Sequence, residues 1–294
     1  MDIISEKHSC CAVFVSYNPE KTFVDNINQL IDQVSEVLII DNNSSRDSKL
    51  WFKELDKHPK IKIIYNESNL GIATALNQGV SYAIKSSYEW LVTFDQDTPI
   101  SDGFIDSLFV CYDSVLSKQD VAIIAPMYII DLPTNDHLVN TNCYRYVKST
   151  LTSGSLMKIS AVKNIGLFDE DLFIDWVDHE YCMKARAAKY TIVQSTHTFL
   201  THAPGDLQQH ILFNLRVHTS NHSTLRRYYM YRNRVICYKR YFVFDPAFIF
   251  YDFLVGLNEL IKMIFFEEKK VSKTLMVLTG IKDGIFNKTG IYSK

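Results

Sequence analysis

Five short apolar runs, separated by stretches with helical spacing, constrain this chain more than any other feature. Residues 11–15, 37–40, 61–64, 90–94 and 121–125 are continuous or near-continuous apolar segments, the pattern of strands buried on both faces. Between them Phe23, Ile27, Leu30, Ile31 and Val34 recur at the spacing of one helix face, as do Ile72, Leu76, Val80 and Ile84, and then Phe104, Leu108, Tyr112 and Val115. Strand then helix, repeated, predicts a doubly wound α/β sheet. Such sheets bind ligands beyond the carboxyl ends of their strands, so the residues that follow each strand matter most. Residues 126–149 read as a polar connection carrying Asp131, Pro133, Asn135 and Asp136, and a second segment of the same edge begins at Thr152. After about Ala203 the alternation stops and Tyr-, Phe- and Arg-rich helix-like sequence continues to the end. The expectation is one α/β domain over residues 1–215 and a C-terminal helical appendix over 216–294.

Composition excludes several classes of protein. With 47% hydrophobic and 22% charged residues the chain can build a full core, so a disordered or low-complexity chain is excluded. A formal net charge of −2 argues against a dedicated nucleic-acid binder. The six cysteines have no Cys-x-x-Cys spacing and read as ordinary reduced thiols. Residues 1–9 lack a basic leader with an apolar run, so no secretion signal is expected. The most apolar long stretch, 241–266, is interrupted by Asp245, Asp252, Glu259 and Lys262, too many charges for a bilayer crossing. A cytoplasmic protein is expected, one that touches a membrane at most peripherally.

Three strand ends are polar: Ser16, Tyr17 and Asn18; Asp41, Asn42, Asn43 and Ser44; and Asp95, Gln96 and Asp97. Asp95 and Asp97, two apart on extended chain, project to the same side and can share one divalent cation or one ribose. Hard oxygen ligands suit Mg or Mn; a plain strand-to-turn junction before Thr98-Pro99 is the competing reading. Asp41 can accept the imide N–H of a uracil or thymine base, or can instead cap an Asx turn or helix. Tyr17 can stack on that base or merely pack in its loop. Asn69 and Gly71 suit a ligand-facing turn, while the small residues after them equally suit a helix packed on the sheet.

The segment 168–186 is rich in acids. If Val177, Tyr181, Ala185 and Ala188 form the buried row of a helix, Asp178 and Glu180 lie about 200° apart and cannot face one pocket. Glu180 has Lys184 at i+4 and can be satisfied as an exposed pair, which leaves Asp178 as the candidate base; dipole-complementing charges at a helix start are the alternative. Thr224–Tyr241 holds Arg226, Arg227, Arg232, Arg234, Lys239 and Arg240 and no acid. It reads either as a solvated helix or as a grip for a diphosphate and for anionic lipid. The tail beyond it, with Phe248, Tyr251, Val255 and Leu260, predicts an interfacial amphipathic helix or a homodimer contact.

In order and spacing, Val15–Pro19, Ile40–Ser44, Asn69–Ala73, Thr93–Asp97, Thr152–Ser155 and Phe173–Glu180 resemble inverting glycosyltransferases of family two, and within it bacterial rhamnosyltransferases of surface-polysaccharide (O-antigen) assembly. The resemblance implies a GT-A fold, a dTDP-L-rhamnose donor, a lipid-linked saccharide acceptor and Mg or Mn dependence. It implies that Ser16, Tyr17, Asn18, Asp41 and Asn69 hold the nucleotide, with Asp95 on the ribose and Asp97 on the metal. Asp178 matches the catalytic base, and Ser153, Gly154, Trp176 and Glu180 would lie by the donor sugar or acceptor. His202 would join the metal, and His222, Arg226 and Arg227 the diphosphate; His202 and His222 are not separated by this reading. A UDP-hexose or UDP-N-acetylhexosamine donor, or a non-catalytic sugar-nucleotide-binding module on the same fold, are the rivals.

Overall fold

The computed structural model describes residues 8–129, 142–201, 208–212 and 215–293. Contacts divide the chain into two compact units, residues 1–170 with 178–202, and residues 171–177 with 203–294.

In the first unit all five expected strands form: β1 (Cys10–Ser16), β2 (Glu36–Asp41), β3 (Ile61–Tyr65), β4 (Trp90–Asp95) and β5 (Val121–Ile129). Three more join them, β6 (Tyr144–Val147), β7 (Ser155–Lys158) and β8 (Thr191–Thr201), in one sheet of order β3-β2-β1-β4-β7-β5-β8-β6. The first four strands are parallel. The expectation of a uniformly doubly wound sheet fails beyond them, because β7 runs antiparallel between β4 and β5, and β6 antiparallel on β8. Four-residue strands carry too few alternations to be read from sequence. For the same reason the connection expected over 126–149 is partly strand, while Asp131, Pro133, Asn135 and Asp136 lie outside the described residues.

Helices α1 (Thr22–Leu30), α2 (Lys49–Leu55), α3 (Ile72–Lys85), α4 (Phe104–Ser114), α5 (Ile159–Ile165) and α6 (Val177–Ala187) cover this sheet. Phe14 is the hub of the core: it stacks on Phe94 at 5.2 Å and meets Phe23 edge-on at 5.6 Å, and Phe94 continues to Phe104. In α6 Val177, Tyr181 and Ala185 are buried as expected, but Ala188 lies past the helix end and is exposed. Cys10, Cys11, Cys111 and Cys182 are buried free thiols, and burial pushes Cys182 up to about 12, which leaves it inert.

The second unit holds an unexpected hairpin, β9 (Gln208–Leu212) against β10 (Leu215–Thr219), and then the expected helices α7 (Thr224–Tyr241), α8 (Pro246–Phe266) and α9 (Lys270–Ile285). Ser223 Oγ caps α7 by accepting from the Arg226 amide at 3.2 Å, and Asp245 caps α8 by accepting from Phe248 N at 3.0 Å, with Pro246 opening the helix. Gly280 and Gly284, one turn apart, let α9 lie directly on the α7 backbone: a Cβ at Gly284 would stand 2.7 Å from the Arg232 carbonyl.

Candidate functional site

The loops at the carboxyl ends of β1, β2 and β4 are tied to one another. Asn18 N donates to Ser44 Oγ at 2.8 Å and Asn18 Oδ1 accepts from Ser45 N at 2.7 Å, joining the β1 and β2 loops. Gln96, between the two aspartates, joins the β1 and β4 loops: its Oε1 accepts from Tyr17 N at 2.8 Å and its Nε2 donates to Tyr17 O at 3.2 Å. Sequence reading had no role for Gln96. Asn42 fixes the turn before α3, donating to Gly71 O at 3.1 Å and accepting from Leu70 N at 3.1 Å. Asn69 Oδ1 accepts from Gly71 N at 3.0 Å, so its side chain shapes that turn.

Asp41 forms the Asx turn that was one of its two readings. Oδ1 closes an Asx turn by accepting from Ser44 N at 3.0 Å, while Oδ2, fully buried, takes no hydrogen bond and faces Lys49 Nζ at 3.5 Å. An acceptor oxygen held this way is suited to an imide N–H. Tyr17 is half exposed on the same edge, and Asp97 is exposed beside the half-buried Asp95. Two carboxylates on one turn are hard donors of the kind Mg and Mn take. Among the described residues no three His, Cys, Asp or Glu side chains form a ligand cluster, and His202 lies outside them.

Ser153 and Gly154, expected against a sugar, are buried framework. Ser153 Oγ accepts from Asp95 N at 3.1 Å and pairs with Thr98 Oγ1 at 2.7 Å, so it sets the backbone carrying the aspartates. Gly154 sits at φ +76°, and a Cβ there would stand 2.7 Å from Leu200. A side chain was expected to reach a ligand where backbone packing had fixed the residue type.

Asp178, half buried, lines a pocket with Thr150, Leu151, Thr152, Ser155 and Tyr181. Thr152 links this pocket to the aspartates, since its carbonyl accepts from Thr93 Oγ1 at 2.6 Å in β4. Tyr128, which sequence reading missed, holds the pocket wall: its hydroxyl lies 3.1 Å from Leu151 O and 2.9 Å from Ser153 O. Burial, and more weakly the Asp178 charge, push that phenol well up, so it stays a donor. His179 Nδ1 lies 2.5 Å from Ser149 Oγ. Glu180 is not the exposed partner of Lys184 that its spacing implied: Glu180 is 2% exposed, and Lys184 Nζ donates to Leu167 O at 2.6 Å. Its burial also removes it from an open donor or acceptor site.

The remaining expected residues belong to the second unit. Trp176 is buried against Tyr238, with the Arg234 guanidinium 5.6 Å from its ring centre, and offers no face for a sugar. Arg227, expected on a diphosphate, is 2% exposed and donates to Glu267 at 2.5 Å; Lys273 donates to the other Glu267 oxygen at 2.8 Å. Arg226 is exposed and pairs with Asp175 at 3.0 Å. Burial, then the charges of Arg226, Arg227 and Lys273, lower His222 to about 3. As an imidazole it is neutral, so any diphosphate contact it makes is by hydrogen bond and not by charge.

The segment before Asp178 is strained and clamped. Phe173, Asp175 and Trp176 all have positive φ, at 63°, 63° and 66°, conformations costing about 1–3 kcal/mol each for such residues. Asn233 Nδ2 donates to the carbonyls of Leu172, Ile174 and Asp175 at 2.9, 2.8 and 2.8 Å. Arg232, fully buried, donates to Asp171 O and Leu172 O at 3.2 and 3.0 Å.

A mixed sheet of this order, with its polar loops gathered beyond the parallel strands, defines a GT-A glycosyltransferase fold. The mannosyltransferase PcManGT from Pyrobaculum calidifontis, solved with GDP-Man and Mn2+, shares it at TM-score 0.61 and 12% identity, over 98% of this chain and 90% of that one. GalNAc-T7, solved with UDP, GalNAc and Mn2+, shares it at TM-score 0.61 and 12% identity over 95% of this chain, which spans 57% of that longer protein. Residues 11–153 match Glycosyl transferase family 2. The dTDP-rhamnosyl transferase RfbF of Shigella flexneri is 28% identical over 249 residues, 78% of this chain and 79% of that protein.

Proposed function

We propose that this glycosyltransferase moves L-rhamnose from dTDP-L-rhamnose, with inversion, to a hydroxyl of a lipid-linked saccharide in bacterial polysaccharide assembly. The observation carrying the donor is the similarity to RfbF over most of both chains. Asp41 accepts the thymine N3–H through its buried Oδ2, Tyr17 stacks on the base, and Asp95 takes the ribose. Asp97, with Asp95, would hold Mg or Mn; such an ion, when bound, supplies charge neutralisation for a diphosphate leaving group. The bound metals of the two solved relatives support that assignment. Asp178 accepts the proton of the acceptor hydroxyl as that oxygen attacks the anomeric carbon from the face opposite the diphosphate. A single displacement needs no covalent intermediate, and the configuration inverts.

Isothermal calorimetry with dTDP-L-rhamnose and a panel of UDP-hexoses and UDP-N-acetylhexosamines, each with Mg or Mn, tests the donor. The expected result is dTDP-L-rhamnose tighter by about tenfold or more, equivalent to about 1.4 kcal/mol. Preference for a UDP-sugar overturns the rhamnose assignment and leaves the fold and the base untouched.

A further inference from the structure

Helix α8 turns the acids that made it look unfit for a membrane away from its exposed apolar side. Asp245 is buried as the helix cap. Asp252 accepts from Arg234 Nε at 2.7 Å and from Tyr238, and Glu259 lies 3.3 Å from Arg234, so both face α7. Arg234 itself sits over Gly256, where a Cβ would stand 2.9 Å from its Nη1. On the opposite side Phe250, Phe253, Leu254, Leu257, Ile261 and Phe265 are between 44 and 68% exposed. At 100° per residue these six fall within roughly 120° of one another. The helix is therefore amphipathic in a sense its sequence conceals, with an exposed stripe containing no charge.

Helix α9 repeats the arrangement. Lys273, Val277, Gly280 and Gly284 are buried, while Val271, Leu275, Leu278 and Ile285 are each more than half exposed. The charges left at the surface are one-sided. Glu267 is consumed by Arg227 and Lys273, and the buried Asp283 pairs with Tyr228 and with the exposed Lys288. Lys269, Lys270 and Lys282 stand exposed and Lys262 half-exposed, against the exposed acid Glu268 and the half-exposed Glu259, which is paired with Arg234.

We propose that the exposed faces of α8 and α9 bind the surface of an anionic phospholipid bilayer, lying in its plane. Apolar and aromatic side chains enter the headgroup boundary, and the lysines meet lipid phosphates. Among the described residues no helix is long and apolar enough to cross a membrane, so the contact is interfacial. Charge separates this occupant from a second copy of the chain: a self-complementary interface needs acids opposite these lysines, and all but one of the acids on these helices are committed inside the unit. An anionic surface supplies what is missing.

The test is sedimentation of the full chain with phosphatidylcholine vesicles, with and without roughly 30 mol % phosphatidylglycerol, at low and high salt. The chain is expected to sediment with the anionic vesicles, and Leu257→Glu with Ile261→Glu to reduce the bound fraction by about tenfold or more. Lys269→Glu with Lys270→Glu is expected to remove the preference for anionic over neutral vesicles. All four positions are exposed, so circular dichroism and thermal midpoints should match the parent chain. No sedimentation, or sedimentation unchanged in the Glu variants, overturns the proposal. So does a dimer in analytical ultracentrifugation that the Leu257/Ile261 pair dissolves, which would assign the stripe to a second copy. Neither donor nor acceptor enters the measurement, so its failure is distinct from failure of the rhamnosyl transfer reading.

Discussion

As the proposed base, Asp178 would take the acceptor proton, and its amide isostere keeps the shape while losing the basicity. Asp178→Asn should lower kcat by about 10²- to 10⁴-fold with the donor Kd unchanged, read by steady-state kinetics beside calorimetry. Turnover within tenfold of the parent would mean another group takes the proton. His222 provides a pH-dependent readout. Its folded value, about 3, lies below the ordinary 6.5, so between these limits the unfolded chain binds more protons than the folded one. The stability that neutral His222 contributes is present above pH 6.5 and is lost as pH falls toward 3, by at most about 1.4 kcal/mol per pH unit for one proton. Urea unfolding across that window should show a shallower decline in His222→Gln than in the parent; identical slopes would count against the burial of His222 among cations. These two residues differ in legibility. Asp178 was singled out from a helix start following an acidic, aromatic segment, whereas His222 is lowered first by burial, which only folding produces, and then by Arg226, Arg227 and Lys273, the last 51 positions away.

Among the elements, continuous apolar runs were legible and short or polar-interrupted ones were not: β8 is eleven residues long, but Gln194–His197 breaks its apolar run. The five apolar strands and three of the helices follow from their apolar runs and periodicity, since 2.0 and 3.6 repeats need several residues to declare themselves. β7, at four residues, and α2, at seven, do not reach that length. Helix α7 was read as helix, but its partners were misjudged, because it is buried on several sides and Arg227, Arg232, Asn233 and Arg234 are all among its buried residues. Arg232 and Asn233 hold the strained segment that precedes Asp178 in the chain. Asn233→Ala would leave three carbonyls without their donor while three positive-φ residues remain to be held. The expected cost is about 2–4 kcal/mol by urea unfolding, with kcat reduced and nucleotide affinity retained. Asn233→Asp preserves shape but cannot donate, so it should behave like the alanine variant. If it behaves like the parent, the three hydrogen bonds do not hold the segment.

For the whole molecule, the net charge of −2 conceals a partition that sequence alone reads the wrong way. Six basic residues without an acid over Thr224–Tyr241 suggest a surface awaiting an anion. Folding brings the anions from the same unit: Glu267 to Arg227, Asp252 and Glu259 to Arg234, Asp175 to Arg226. Only long-range packing makes these pairs, with separations of up to 51 residues along the chain, which is why a charge run read locally looked unpartnered. A buried pair is rarely a net gain over an apolar contact, but breaking one leaves an uncompensated charge in the interior. Glu267→Gln therefore discriminates between the two roles of Arg227. As an internal partner, its loss should destabilise the chain by about 3–5 kcal/mol, seen as a lower urea midpoint, with the dTDP-L-rhamnose Kd moving less than about twofold when measured well below that midpoint. If Arg227 instead gripped the diphosphate, releasing it from Glu267 would leave stability nearly intact and tighten donor binding.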